Sequence, residues 1–187
     1  MKKYELTDET IEVYGTALHR IKALKDFGNV KKGELGGYVE SERNLSQEGN
    51  CWVCGNAKVC GDAEVCGNAK VCGDAKVCGN AWVFGNAEVY GNAKVYGNAW
   101  VYGNAEVCGN ARVYGDADYI TIKGLGSKYR NTTIFRTKEN IAVKCGCFYG
   151  TLAEFVDKVK ETHGNSKFAK EYLALIDLVK IHFELEE

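Results

Sequence analysis

No stretch of this chain is long and apolar enough to cross a bilayer, and no secretory h-region is present, so the sequence reads as soluble, intracellular and cytoplasmic, with no membrane partner. Charge of either sign is not in excess: 24 Lys and Arg stand against 25 Asp and Glu, and residues 1–48, 49–118 and 119–187 carry about −1, −2 and +2. Duplex nucleic acid, which is held by many phosphate-neutralising cations, is thereby disfavoured as a partner. Histidine is scarce. His19, His163 and His182 all lie outside residues 49–118, so that stretch offers neither an imidazole base nor an imidazole ligand set.

What the chain does have is a strict repeat. Valine recurs at every sixth position from Val53 to Val113, with glycine two residues on and alanine four residues on, giving eleven copies of V-x-G-[N/D]-A-x. Side chains alternate along a strand, so Ala and Val share one face and the two free positions share the other. Gly followed by Asn or Asp supplies a bend of one hand, because both tolerate the left-handed region. Three bends close a triangular coil of about eighteen residues, and such coils bury their apolar edges only by stacking.

The motif resembles the hexapeptide-repeat left-handed β-helix over about residues 39 to 118. The resemblance implies a mainly β chain built on a left-handed parallel β-helix, a triangular solenoid of about four coils. The chain then reads as an N-terminal cap (1–38), the β-helix (39–118) and a small C-terminal α+β domain (119–187).

The eighteen-residue period sorts the outward residues by face. One face carries Lys58, Lys76, Lys94 and Arg112 in a column, with Cys60, Cys78, Tyr96 and Tyr114 beside it. Four like charges about one strand spacing apart repel by about 0.9 kcal/mol per neighbouring pair in water, which favours an anionic partner. The plain alternative is that they splay into solvent and that the column arose by copying a coil, as the near-identity of residues 82–99 and 100–117 suggests. A second face carries Glu64/Cys66, Trp82/Phe84, Trp100/Tyr102 and Asp118/Ile120. Its four large aromatics exceed what a soluble monomer normally leaves in water, so Trp82, Phe84, Trp100 and Tyr102 read as covered by another subunit, as an oligomer interface, or by the C-terminal domain, ahead of base stacking. Proteins resembling this scaffold are commonly trimers, which implies a homo-oligomer. The third face, Trp52, Lys70, Glu88 and Glu106, mixes signs.

Six of the nine cysteines (Cys54, Cys60, Cys66, Cys72, Cys78, Cys108) share one outward slot and read as small apolar residues in a reducing compartment. The stacked pairs Cys54/Cys72 and Cys60/Cys78 have parallel Cβ vectors, which disfavours a bridge and predicts free thiols.

Residues 1–38 read as the cap that a solenoid end requires, with 18–24 undecided between helix and strand. A degenerate first coil lies near Asn44-Leu45 and Gly49-Asn50. After Ala117 the register is lost, and Y-I-T-I-K, T-T-I-F-R-T and I-A-V-K-C predict a short meander. Thr151-Leu152-Ala153-Glu154 is a capping box that opens a helix ended by Gly164, and a second helix runs from about Ser166 to Phe183. Lys128, Arg130 and Arg136, with Gly124, Gly126, Ser127 and Lys144, form a basic cluster near strand ends, able to hold a phosphate or carboxylate or to be a solvated loop. Cys145-Gly146-Cys147 with His163 lacks zinc spacing and a fourth ligand, and no third group orients His163 toward Cys147.

The β-helix scaffold hosts acyltransferases, carbonic anhydrases, ice binders and structural modules. The acyltransferases place a histidine base on the wall and use a protruding loop, the carbonic anhydrases need three coil histidines, and ice binders carry threonine ladders; residues 49–118 have none of these. L-H-R-I-K-A-L-K-D-F-G-N-V-K-K-G-E-L-G-G-Y-V-E-S-E-R-N-L-S, the repeats, and C-G-C-F-Y-G-T-L-A-E-F together resemble uncharacterised proteins of phages and prophages of gut bacteria. By analogy of context, small phage-encoded oligomers of this sort sequester nucleotide immune signals in the bacterial host cell. The leading expectation is therefore a non-catalytic protein that holds a small anionic, nucleotide-derived ligand at subunit interfaces, as a trimer or multiple, through Lys58, Lys76, Lys94, Arg112, Tyr96 and Tyr114 or through Lys128, Arg130 and Arg136. No catalytic residue, metal or cofactor is expected. The alternatives are an acyltransferase using acetyl-coenzyme A and a structural or protein-interaction module.

Overall fold

In the computed structural model, residues 2–185 are described, and the chain divides into two compact units, Met1–Asp116 and Ala117–Glu187. The first unit is a parallel β-solenoid of about four turns. It begins with an antiparallel hairpin, β1 (Tyr4–Val13) and β2 (Thr16–Ala23), followed by β3 (Leu35–Val39), which pairs antiparallel with β2. Residues 18–23, left undecided between helix and strand, are thus strand, and Leu24 is a bend. Eleven two-residue strands follow, β4 to β14, starting at Trp52–Val53 and recurring every six residues to Arg112–Val113.

These strands form three sheets in parallel register. Lys58, Lys76, Lys94 and Arg112 stack in one, Trp52, Lys70, Glu88 and Glu106 in the second, and Glu64, Trp82 and Trp100 in the third. Inward, every repeat valine from Val53 to Val113 and every alanine from Ala57 to Ala111 is fully buried. Full burial is worth about 1.5–3 kcal/mol for a valine side chain, so the interior alone gives the stack a strong drive to form. Backbone amides of one coil donate to carbonyls of the next, as Lys58 N does to Ala75 O at 2.9 Å. The corners are held the same way. Gly73 sits at φ 70°, and Asn50 Nδ2 donates to Asn68 Oδ1 (3.2 Å) and Asn68 Nδ2 to Asn86 Oδ1 (3.1 Å), an amide ladder along one edge.

Two features depart from the simple repeat. The first coil is longer: Val39 pairs with Val59, twenty positions on, whereas Val53 pairs with Val71, eighteen on. The two extra residues fall between Leu45, which bridges to Val65, and Val53, and the buried Asn44 side chain bonds into the next coil where a repeat would place only backbone. The third sheet also stops at Trp100. Asp118 lies in a short 3-10 turn (Asp116–Asp118) and Ile120 in a strand of the second unit, so they do not continue the aromatic face.

The thiol expectation is corrected at two places. Cys54–Cys72 and Cys60–Cys78 are disulfides, each joining neighbouring coils. Parallel Cβ vectors do not forbid the bond, because the Cα atoms are 4.6 and 4.7 Å apart, inside the range that disulfides span. Cys51, Cys66, Cys108, Cys145 and Cys147 stand outside these two disulfides.

The second unit is an antiparallel sheet with strands in chain order, β15 (Tyr119–Leu125), β16 (Arg130–Arg136), β17 (Ile141–Cys145) and β18 (Phe148–Thr151), followed by α1 (Leu152–His163) and α2 (Lys167–His182). The fourth strand extends the three-strand meander; its four residues are too short to carry an alternation. The capping box forms as written, with Glu154 N donating to Thr151 Oγ1 and Thr151 N to Glu154 Oε2 at 2.7 Å. Ile134, Val143, Phe155, Val159, Ile176 and Val179 make the core between sheet and helices.

Candidate functional site

The basic column is longer than the repeats alone indicate. β3 brings Tyr38 into register beside Lys58, and β2 brings Arg20 beside Tyr38, so the row reads Arg20, Tyr38, Lys58, Lys76, Lys94, Arg112 across one sheet. Arg20 is neutralised: its Nη1 donates to Glu9 Oε1 at 2.9 Å, and Tyr38 Oη donates to the same oxygen at 3.0 Å, which holds the Glu9 carboxyl below the usual carboxylate range. Lys58 bends back to donate to Asn56 O at 2.8 Å. Beyond it, Lys76, Lys94 and Arg112 form no ion pair among the described residues.

The β1–β2 turn reaches the first of these three. Tyr14, at φ 53° and 79% exposed, lies with its ring 5.6 Å from Lys76 Nζ. Next to it Tyr96 and Tyr114 stack with ring centroids 5.7 Å apart, Tyr114 open to solvent. The Tyr96 hydroxyl is shut off from solvent, and burial, with the neighbouring Tyr14 phenol, pushes its pKa up to about 12. The structure therefore brings together Lys76, Lys94, Arg112, Tyr96 and Tyr114, sets Lys58 aside, and adds Tyr14. The signal for Tyr38 was the Tyr-Val pair at 38–39, which repeats the Lys-Val pairs of the wall; Tyr14 had none, because its approach depends on how the hairpin curves.

Tyr4, Tyr90, Tyr96 and Tyr172 all have pKa values raised, chiefly by burial, Tyr96 and Tyr172 to about 12. Above the unfolded value of 10.0 the native state keeps protons that the unfolded state has lost, so stability is intact below that pH and is lost as pH rises toward 12. Lys3, depressed by burial, acts oppositely but is one group against four. Alkaline titration should show phenolate absorbance for these tyrosines appearing together with loss of far-ultraviolet circular dichroism; ionisation near pH 10 with the fold intact would contradict it.

On the third sheet, Trp82 and Trp100 stack at 5.5 Å and 12°, and Phe84 and Tyr102 at 5.4 Å and 11°. Trp82, Trp100 and Tyr102 remain 40%, 47% and 49% exposed, so the block is well ordered by its own stacking and still presents apolar area.

In the second unit, Lys128 and Arg130 line a cleft of about 320 Å³, while Arg136, at the far end of the same strand, pairs with Asp118 at 3.2 Å and lies over Phe183. Cys147 and His163 also line the cleft, but the His163 ring stacks on Tyr172 at 5.8 Å. Lys158 and Thr162 join from α1; their helical spacing with Phe155, Val159 and His163 was the available signal. Among the described residues no group of three or more His, Cys, Asp or Glu is placed to hold a metal ion, and no helix is long and apolar enough to cross a membrane.

The family described as YdcK Beta solenoid repeat matches residues 87–103. The chain is also similar to the Uncharacterized acetyltransferase YdcK of Escherichia coli (strain K12), 39% identical over 61 residues, which cover 28% of this chain and 19% of that protein. The likeness supports a β-solenoid related to the YdcK hexapeptide-repeat type, shared over a small part of either chain.

Proposed function

We propose that the solenoid wall binds a small anionic ligand carrying a nucleotide-type aromatic group, with Lys76, Lys94 and Arg112 meeting its phosphates and Tyr114 offering a ring to its base. The observation that carries this reading is the row of three cations in parallel register with no carboxylate partner among the described residues. Burying such a row beside an anion removes its self-repulsion and gains charge-assisted hydrogen bonds. Copies of the chain associate through Trp82, Phe84, Trp100 and Tyr102, which encloses the ligand at subunit contacts. The role that follows is retention of a nucleotide-derived signal without chemistry.

A second reading is favoured by the name of the relative, an acetyltransferase. Coenzyme A belongs to the same ligand class, an adenine nucleotide with phosphates, so the same wall would serve an acetyl-coenzyme A donor. Acyl transfer further calls for a base. His19 is held at Thr7 O through Nδ1 (3.2 Å) and lies one residue off the basic row, so it supplies none there.

Native mass spectrometry of the full chain with cyclic oligonucleotides, ADP-ribose derivatives and acetyl-coenzyme A separates the readings. A nucleotide retained and released intact on denaturation supports retention. Consumption of acetyl-coenzyme A with an acetylated acceptor supports the second reading, and a chain indifferent to every compound removes both and leaves a structural or protein-binding module. Combined Lys76→Glu, Lys94→Glu and Arg112→Glu substitution should weaken the captured ligand about hundredfold or more, since each charged hydrogen bond is worth about 1.5–3 kcal/mol.

A further inference from the structure

The cleft in the second unit has two chemically distinct parts. Its floor is apolar, made by Phe148, Phe155, Val159 and Tyr172, and its rim carries Lys128, Arg130 and Lys158. Lys158 is satisfied by Glu161 at 2.8 Å, whereas Lys128 and Arg130 have no ion-pair partner among the described residues. The local backbone makes room for the guanidinium: Gly146, at φ 59°, is a position where a Cβ would lie against Arg130 Nη1. Tyr172 is fixed at the floor by its hydrogen bond to Leu125 O (3.4 Å) and by contact with Cys145 Sγ (3.7 Å), so the floor is preformed.

The volume of about 320 Å³ is that of a small-molecule site, in which apolar walls hold the body of a ligand and a few polar groups fix its orientation. We propose that this cleft is a binding site, separate from the solenoid wall, for a small amphipathic anion: an aryl or acyl carboxylate or phosphate whose apolar part rests on Phe148, Phe155 and Tyr172 and whose charge is held by Lys128 and Arg130. A neutral ligand of the same shape would leave both cations unpaired, and a fully hydrophilic anion would leave the aromatic floor wet. The floor and the rim therefore select together.

Cys147, exposed on the lining, gives a local readout. Its alkylation by iodoacetamide in the full-length chain is followed by peptide mass spectrometry, with Cys66 in the solenoid as internal reference. Naphthoate at about ten times its Kd should slow Cys147 alkylation about tenfold by mass action and leave Cys66 unchanged, while uncharged naphthylmethanol at the same concentration protects much less. Lys128→Glu with Arg130→Glu, both at exposed positions, should abolish protection by naphthoate with an unchanged circular dichroism spectrum. Calorimetric titration of a Cys147→Ser variant should still show naphthoate binding. Absence of protection by naphthoate, equal protection by the alcohol, or protection that survives the double charge reversal would each overturn the proposal.

Discussion

Replacing Gly91 by alanine is expected to destabilise the solenoid by about 3 kcal/mol or more, the same change at Gly103 by about 1 kcal/mol, and at Gly115 by almost nothing. The three glycines separate two costs that the repeat normally combines. Gly91 sits at φ 73°, and a Cβ there would come 3.0 Å from the backbone nitrogen of Gly109 and 3.3 Å from its Cα and carbonyl oxygen. Backbone cannot move aside as a flexible side chain would, because each of those atoms belongs to the next coil's own hydrogen-bonded corner. Gly103 has nearly the same torsion, φ 69°, but nothing within 4 Å of the built Cβ, so only the left-handed penalty of an L-residue remains. Gly115 has no positive φ, and nothing lies within 4 Å of a Cβ built there.

Urea denaturation of the three variants beside the parent chain measures the series. A Gly91 variant no worse than the Gly103 variant would mean that the coils shift apart freely and that close stacking of the corners is not what the glycine serves. Since each coil contacts mainly its neighbours, hydrogen exchange should place the Gly91 defect in the coils on either side of it and leave the second unit unchanged.

The solenoid was legible because its signal is periodic: eleven valines and eleven alanines at fixed spacing determine which atoms face inward, and the structure buries all of them but Ala117, which lies past the last strand of the repeats. Two helices were legible for a similar reason, Thr151 and Glu154 marking the start of one and Gly164 its end. The disulfides were misread because a sequence argument fixed the direction of the Cβ atoms but not the freedom of Sγ to turn toward its neighbour across 4.6 or 4.7 Å. Of the candidate site, the column of cations followed from arithmetic on the repeat. Its continuation through Tyr38 and Arg20 did not, because it depends on a hairpin that adds to the sheet edge by pairing between segments of unrelated sequence. Tyr14 was less accessible still, being placed by the curvature of the hairpin and a positive φ at a non-glycine residue. In the second unit, Lys128 and Arg130 share a cleft while Arg136 does not, since the two ends of a seven-residue strand face different neighbours.

Asn44→Ala is expected to cost about 3–5 kcal/mol, as much as a large cavity in a protein core, although it removes only three heavy atoms. Asn44 stands where the long first coil joins the regular stack. Its fully buried amide donates from Nδ2 to Gly61 O at 3.0 Å and to Ala63 O at 2.9 Å, and its Oδ1 accepts from Ser41 N at 2.9 Å. Alanine leaves the buried Ala63 carbonyl and the part-buried Ser41 amide without these partners and takes from Gly61 O the nearer of its two donors, Arg43 Nη2 staying at 3.4 Å; a group left unmet costs about 1–3 kcal/mol when buried. Asn44→Asp keeps the shape and the bond from Ser41 but turns a lone-pair oxygen toward two carbonyls, so burial and those carbonyls raise the carboxyl pKa above its unfolded value. The native state then binds more protons than the unfolded state, the penalty is present above the folded pKa, and it is relieved as pH falls through it, when the protonated carboxyl donates to one carbonyl. Urea midpoints measured at neutral and at mildly acidic pH should therefore converge toward the parent for Asn44→Asp while the Asn44→Ala deficit stays constant. If the aspartate variant shows no such recovery, the Asn44 amide is not the donor that joins the first coil to the second.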